Sequence, residues 1–405
     1  MGVQDLLSKY YDVDNLVTIE ISMPDADWAT LKNTGPHYGW RADATKDQVL
    51  NEHHYDWFKT TSVSVSGTKY PTQKQSFSPV SIVKKSFAGS ISNVKPSLKL
   101  EFSRLTKKEK NNATPAELEA AKKNEAAILA LVGTKDITLN NSVQDPSYVR
   151  QPLGYEVFRQ GGIPYARCNF AKVIVNGRSL GIYVNLEQIQ EPYMQRNFNN
   201  DKGNLYETEW RFDLTKADLD KTFNQEGFSD FEDQKDLGLA ISTFDKGIKV
   251  AKQVIAVDQV IRVLAMQAVV KHWDGYPNNT FVYNDTVPVE NPKAENVKLK
   301  LIPSGIDGIF LPDRPFVVKN EGVLSKLVLN DSDTNKQLTA ALQDSAKVFD
   351  KFLGANLSFV DKLAGILKIG GVDKPDDVAK AIDVVRKELN GVKAGLGAFI
   401  KTRSS

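Results

Sequence analysis

Cysteine is almost missing from these 405 residues; Cys168 is the only one. A lone thiol closes no intrachain disulfide and cannot build a thiolate zinc site. Histidine is scarce as well, at four residues. Two of them, His53 and His54, are adjacent, so in an extended segment they point opposite ways. No second His/Cys cluster completes a ligand set, and a surface loop is expected there. No apolar run reaches membrane-spanning length, so no span is expected. Neither sign of charge dominates: 52 basic and 50 acidic residues leave +2, which offers no field for a nucleic acid polymer. The start, MGVQDLLSKYYDVDN, lacks a basic segment followed by an apolar stretch. It is equally what a chain whose export signal had been replaced would show, so cytoplasm and cell surface both stay open.

What is present is ordinary for a soluble globular chain: 41% hydrophobic and 25% charged residues. The length suffices for two lobes with real cores or for one large domain. The first hundred residues are strand-rich. Leu16–Ser22, Ser62–Ser66, Val80–Val83 and Ser97–Phe102 alternate with period two, and Asp25–Leu31 reads as a short helix. Thr114-Pro115, an Ala/Lys/Glu-rich run to Val132 and then Gly133 predict a capped surface helix. Asp136–Asn141 reads as a strand. Asp145-Pro146-Ser147 opens a helix from about 147 to 160 that carries Arg150 and Glu156, with Arg150 expected to pair with Asp145. AKVIVNGRSLGIYVNLEQ is a hairpin turning at Asn176-Gly177, with Glu187 directly after its second strand. Gly203–Glu207 is another short strand, and Lys216–Val250 is polar and poorly periodic. The tail from Glu321 predicts three helices broken at Gly354 and at Gly370-Gly371.

The densest chemistry lies between Lys271 and Phe310. An apolar helical run, Val260–Val270, delivers KHWDGYPNNTFVYND, and Gly275 and Pro277 break the helix. Two strand-like runs follow, Thr280–Tyr283 and Val297–Ile302, and the second leads into IPSGIDGIF. Asp274 and Asn279 keep the D-x4-N spacing of a kinase catalytic loop, and Asp307–Gly308 takes the later place of a metal-binding Asp-Gly. One carboxylate can steer a hydroxyl nucleophile while an amide oxygen and a second carboxylate hold Mg²⁺ on a triphosphate. On spacing alone a helix-capping turn is the better explanation of the loop. Asn278-Asn279-Thr280 is also a glycosylation acceptor, and a glycan there would crowd this site.

Four separated stretches together carry more weight. DPSYVRQPLGYEVFRQGGIPYARCNFAKVIVNGRSLGIYVNLEQI, GNLYE, HWDGYPNN and IPSGIDGIF resemble, in order and spacing, the spore-coat-protein-H (CotH) kinase family. The resemblance runs over roughly residues 95–310. It implies an α+β, atypical protein-kinase-like fold of two lobes. The strand-rich lobe would cover 1–190, with the inserted helix at about 115–132 and an αC-like helix at about 147–160. The second lobe, 191–405, would hold the catalytic loop 272–279, the metal segment 302–310 and a helical tail from 321. The chain contains no G-x-G-x-x-G or Walker sequence, in keeping with a family described as lacking the Gly-rich lid.

By that likeness Asp274 is the catalytic-loop acid, and Asn279 and Asp307 are the Mg²⁺ ligands. Lys99, in the K-x-x-x-K-L-x-F pattern, would contact the phosphates of ATP. Glu156 would pair with Lys99, and Glu187 would sit near the adenine edge. The implied activity is transfer of the γ-phosphoryl group of ATP to Ser or Thr of a protein partner, such as a surface or coat protein. The implied location is secreted or at the cell or spore surface. Transfer of another part of ATP, such as AMP, or a non-catalytic surface module are the alternatives. The sequence departs from the family pattern at Ser304-Gly305-Ile306, at Glu207 where a Lys is expected, and at Lys84-Lys85 in place of Arg-Gly.

Overall fold

Alternating apolar residues set up the first strand. In the computed structural model, which describes residues 2–36, 55–86, 88–103, 113–208, 213–227 and 234–404, β1 (Val17–Ser22) buries Val17, Ile19 and Ile21. The pair His53–His54 lies outside the described residues. Further strands are β2 (Trp57–Lys59), β3 (Ser62–Gly67), β4 (Gln75–Phe77), β5 (Ser81–Lys84) and β6 (Leu98–Glu101). They are followed by β7 (Asp136–Asn140), β8 (Cys168–Val175) and β9 (Arg178–Leu186). Among the described residues these form a nine-stranded sheet in the order β2-β5-β6-β7-β9-β8-β1-β3-β4. The β8–β9 hairpin turns at Asn176 (φ 48°) and Gly177 (φ 76°), the two left-handed residues that a tight hairpin loop demands.

Period-two patterning gives the sheet two working faces. Leu98, Leu100, Ile137, Leu139, Val173 and Tyr183 point into one core. The helices Val3–Tyr10 and Pro115–Val132 cover that core through Leu7, Tyr10, Ile128 and Val132. The second helix has the expected N-cap at Thr114, which forms a capping box with Glu117, and ends at Gly133 in the left-handed conformation. Phe170, Ile182 and Val184 face the other way, into a core shared with the helix Arg150–Gln160 and most of the C-terminal half.

A smaller sheet, β11-β10-β12-β13, is built from β10 (Asn204–Thr208), β11 (Phe223–Gly227), β12 (Thr280–Asn284) and β13 (Leu299–Pro303). β12 and β13 pair antiparallel, so the chain between Asn279 and Ser304 leaves and returns as a hairpin. The helix Val257–Val269 packs under it and is buried on nearly every side.

Two expectations need correction. The stretch from Lys216 is ordered into the helices Lys216–Thr222, Lys235–Phe244 and Ile248–Ala251. The second of these buries Leu237, Ala240, Ile241 and Phe244, a helical stripe set among polar neighbours. Gly354 does not break the tail: one helix runs from Ser332 to Gly370. A helical Gly costs only about 1 kcal/mol against Ala, which apolar contacts on both sides of it (Phe349, Val360, Leu363) offset. The break falls instead at Asp331, whose carboxylate caps the backbone of Asp333 and Thr334. The last helix, Pro375–Ser404, buries Val378, Ile382, Val385 and Leu389 as its periodicity predicts. The chain is thus a mixed helix-and-sheet protein with a large sheet and a helical C-terminal part, compatible with two lobes. Among the described residues no helix is long and apolar enough to cross a membrane.

Candidate active site

The helix Val257–Val269 ends where Lys271 turns left-handed (φ 53°), and the loop that follows is bonded to the 304–310 segment at several points. Phe310 N donates to Val270 O (2.9 Å), Trp273 N to Gly308 O (3.1 Å) and Ser304 N to Asn279 O (2.9 Å). Asn279 (φ 30°) and Phe310 (φ 48°) are also left-handed, so positive φ marks both ends of this zipper. Such residues cost of order 1 kcal/mol each and persist where surrounding contacts over-determine them.

His272 closes the zipper from inside. Its Nε2 lies 3.2 Å from Gly305 O and its Nδ1 lies 3.4 Å from Gln267 Nε2. A carbonyl can only accept, so Nε2 carries the proton and Nδ1 accepts from the amide. Burial, opposed by the Gly305 hydrogen bond and helped by nearby Lys319, pushes its pKa down from 6.5 to about 4. The unfolded chain protonates this imidazole below about pH 6.5 while the folded chain keeps it neutral, so acid erodes stability across that window. Urea midpoints should show roughly 2 kcal/mol of His272-dependent loss between about pH 7 and about pH 5. His272→Gln, which retains a donor toward Gly305, should remove that part of the slope; an unchanged slope would contradict the assignment.

The zipper brings the three central residues together. The Asp274 carboxylate comes within 3.7 Å of the Cβ position at Gly308. A methyl on Gly305 would meet the Asn279 amide at 2.6 Å, and Gly305 is itself left-handed (φ 55°). Asp307 lies between these two contacts in sequence. Burial raises its pKa, and like charges on Asp145 and Asp274 act in the same direction. Its own backbone N–H and the Asn140 side chain hydrogen-bond the carboxylate and oppose the rise. Among the described residues Asp307 has no Lys or Arg partner, so it is a carboxylate short of positive charge.

Asn140 and Gln151 are not singled out by the sequence. Asn140, at the end of β7, donates to Gln151 Oε1 (3.1 Å) as well as reaching Asp307. Asp145 is buried and accepts from Arg150 Nη1 (2.6 Å), the pair expected from the sequence. The helix Arg150–Gln160 approaches the 306–309 segment through Gly154, where a Cβ would stand 2.7 Å from Ile309 and 2.8 Å from Ile306. Neutral amides and a glycine send no charge signal in a sequence, which is why they were passed over.

The remaining expected residues divide. Lys99 pairs in register with Thr138, so it shares the sheet face that carries Asn140 one pleat along. Its ammonium stands 3.7 Å from Asp136 and 3.9 Å from Glu101, the outer limit of an ion pair. Glu156 is not its partner. Glu156 holds Arg159 (2.6 Å) and Gln160 (2.9 Å), because it projects from the helix on a different side from Gln151. Glu187, expected near the adenine edge, is already engaged by arginines. It is buried between Arg167 (3.0 Å) and Arg196 (2.5 Å) and also accepts from Arg167 N, which leaves its charge fully matched.

Among the described residues no three His, Cys, Asp or Glu side chains converge closely enough to hold a metal unaided. One carboxylate and one exposed amide can still bind a hard cation that arrives with phosphate oxygens and water. A separate cavity of about 530 Å³ lies between the 244–249 turn and the helix Val323–Asn330. It shares no residue with this site, and Lys246, Lys249 and Lys326 there mix with Asp245 and Asp331, so it favours neither sign of ligand.

A sequence profile described as CotH kinase protein matches residues 88–351. Inner spore coat protein H of Bacillus subtilis (strain 168) is 28% identical over 165 residues, 37% of this chain and 45% of that protein. The match therefore spans less than half of that relative's length. The profile covers well over half of this chain and takes in β6 to β9, the Asp274 loop and the Asp307 segment. On that ground the protein belongs to the CotH kinase family.

Proposed function

We propose that this chain is an atypical protein kinase of two lobes, 1–190 and 191–405, that moves the γ-phosphoryl group of ATP to Ser or Thr of a protein partner. Membership in the family supports a kinase-like protein, and the relative's name supports a coat or surface setting. The observation that carries the reading is the zipper between residues 270–279 and 304–310. It holds the Asp274 carboxylate, the Asn279 amide and the charge-starved Asp307 carboxylate on two loops bonded to each other.

When bound, Mg²⁺ supplies charge neutralisation across the phosphates. Asp307 and Asn279 are the residues that would hold it, and the unmet charge of Asp307 fits that duty. Lys99 would offset phosphate charge from the sheet face. Asp274 would take the proton of the acceptor hydroxyl as its oxygen bonds to Pγ, while the bond from Pγ to the bridging oxygen breaks toward ADP. Most of the acceleration would come from alignment and electrostatics.

The test is incubation with Mg²⁺, a Ser-rich acceptor and ATP labelled at either the γ or the α position. Protein-bound γ-label supports the kinase. Protein-bound α-label means AMP transfer, and neither label, with no Mg·ATP thermal shift, means a non-catalytic module. Gly305→Ala probes that pairing of loops. Left-handed backbone should cost about 1–2 kcal/mol, and the displaced Asn279 should raise the Mg²⁺ requirement about tenfold or more. A variant with parental Mg²⁺ dependence would remove Asn279 from the metal site.

A further inference from the structure

Beside Asp274 lies a cation with no part in the scheme so far. Lys319 sits in the segment between Phe310 and the helix Val323–Asn330. Its Nζ is 5.5 Å from the centre of the exposed Trp273 ring, over which the Arg314 guanidinium also stacks at 3.6 Å. The Trp273 Cβ stands 4.0 Å from the Cβ position at Gly308, next to the Asp274 carboxylate at 3.7 Å. Asp274 and Glu321 are the acids that act on Lys319, and His272 feels its charge from below. Among the described residues the ammonium makes no hydrogen bond or ion pair. Burial lowers its pKa, and the charges of Asp274 and Glu321 oppose the fall.

The loop bearing Lys319 is held on both sides. Val318 is buried before it. After it, Val323 N donates to Asp213 (2.5 Å) and Leu324 N to the Tyr276 hydroxyl (3.0 Å). Tyr276 in turn donates to Asp213 (2.8 Å) and belongs to the same loop as Asp274. A half-buried, unpaired ammonium at a fixed place beside a proton acceptor is costly unless an anion visits it.

We infer that Lys319 meets the phosphoryl group in transit, at the moment when it lies between ADP and the hydroxyl held by Asp274. This rests on the kinase reading. A hydroxyl bonded to Asp274 brings the reacting phosphorus within a lysine's reach of that carboxylate, and negative charge there has no other unpaired side-chain cation on this loop. In the kinase reading Lys99, on the sheet face, would serve the nucleotide.

The test uses the full chain, Mg·ATP and Mg·ADP as probes, and casein stripped of phosphate as acceptor. Lys319→Met keeps the aliphatic stem and should leave the melting temperature at or above the parent's. It should lower kcat for γ-label transfer about 10²-fold. Mg·ADP affinity should stay within about twofold, so the preference for ATP over ADP narrows. Lys319→Arg, which restores the charge, should recover most of the rate. A kcat within about threefold of the parent, or equal losses of ATP and ADP affinity, overturns the assignment. A parental protein that transfers no γ-label and shows no Mg·ATP shift overturns the kinase reading and this inference with it, a result distinct from an active parent and an unaffected variant.

Discussion

Asp307→Asn should melt at a higher temperature than the parent and lose nearly all of its phosphate transfer. The two effects share one cause. Burial, together with the charges of Asp145 and Asp274, raises the pKa of Asp307 above its value in the unfolded chain. A carboxyl shifted that way binds its proton more readily when folded. Its ionised form therefore works against folding, and the cost is fully present above the folded-state pKa. An asparagine removes the charge, can accept from Asn140, and can offer its own amide to the neighbouring acids. The same loss should remove Mg²⁺ binding and lower γ-transfer by at least about 10³-fold. Differential scanning with and without Mg·ATP, beside the labelled-ATP assay, reads both. A variant that melts lower, or one that keeps the Mg·ATP shift, would mean that Asp307 is a structural carboxylate with its charge already met.

Much of this architecture could be read in advance because its signals are local. Asn176-Gly177 demands left-handed residues, and the N-cap at Thr114 sits ahead of an unbroken helical run. The D-x4-N spacing and the later Asp-Gly placed Asp274, Asn279 and Asp307 on two strand-linked loops, which β12 and β13 do connect as a hairpin. What escaped depends on direction in space. Glu156 and Gln151 share one helix, five positions apart and so well round its circumference; only the amide turns toward Asn140. Glu187 is fixed by Arg167, twenty residues earlier on the neighbouring strand side, and by Arg196 on the next helix. No pattern in the sequence announces that convergence. At Gly354 the reverse holds: long-range packing carries the helix through a local breaker.

Asp274→Ala should separate chemistry from binding. Asp274 touches the 304–310 segment only through space, at Gly308, and its backbone is held independently by Trp273 N on Gly308 O and by Gly275 N on His272 O (3.2 Å). Removing the carboxylate therefore leaves the zipper standing and the fold intact. A lost general base costs about 10²- to 10⁴-fold in rate, so γ-label transfer should fall by that much. Mg·ATP should still raise the melting temperature, because Asn279 and Asp307 are untouched and Asp307 loses a like-charged neighbour. Retention of the shift together with loss of transfer is the signature of a proton acceptor. Loss of both would make Asp274 a metal ligand, and a rate within about threefold of the parent would leave the hydroxyl without its base and end the assignment. Because both acids serve one transition state, the Asp274→Ala/Asp307→Asn double variant should transfer no more slowly than Asp307→Asn alone. A further drop would mean that the two carboxylates act on separate steps, which a single site around one hydroxyl and one phosphoryl group does not allow.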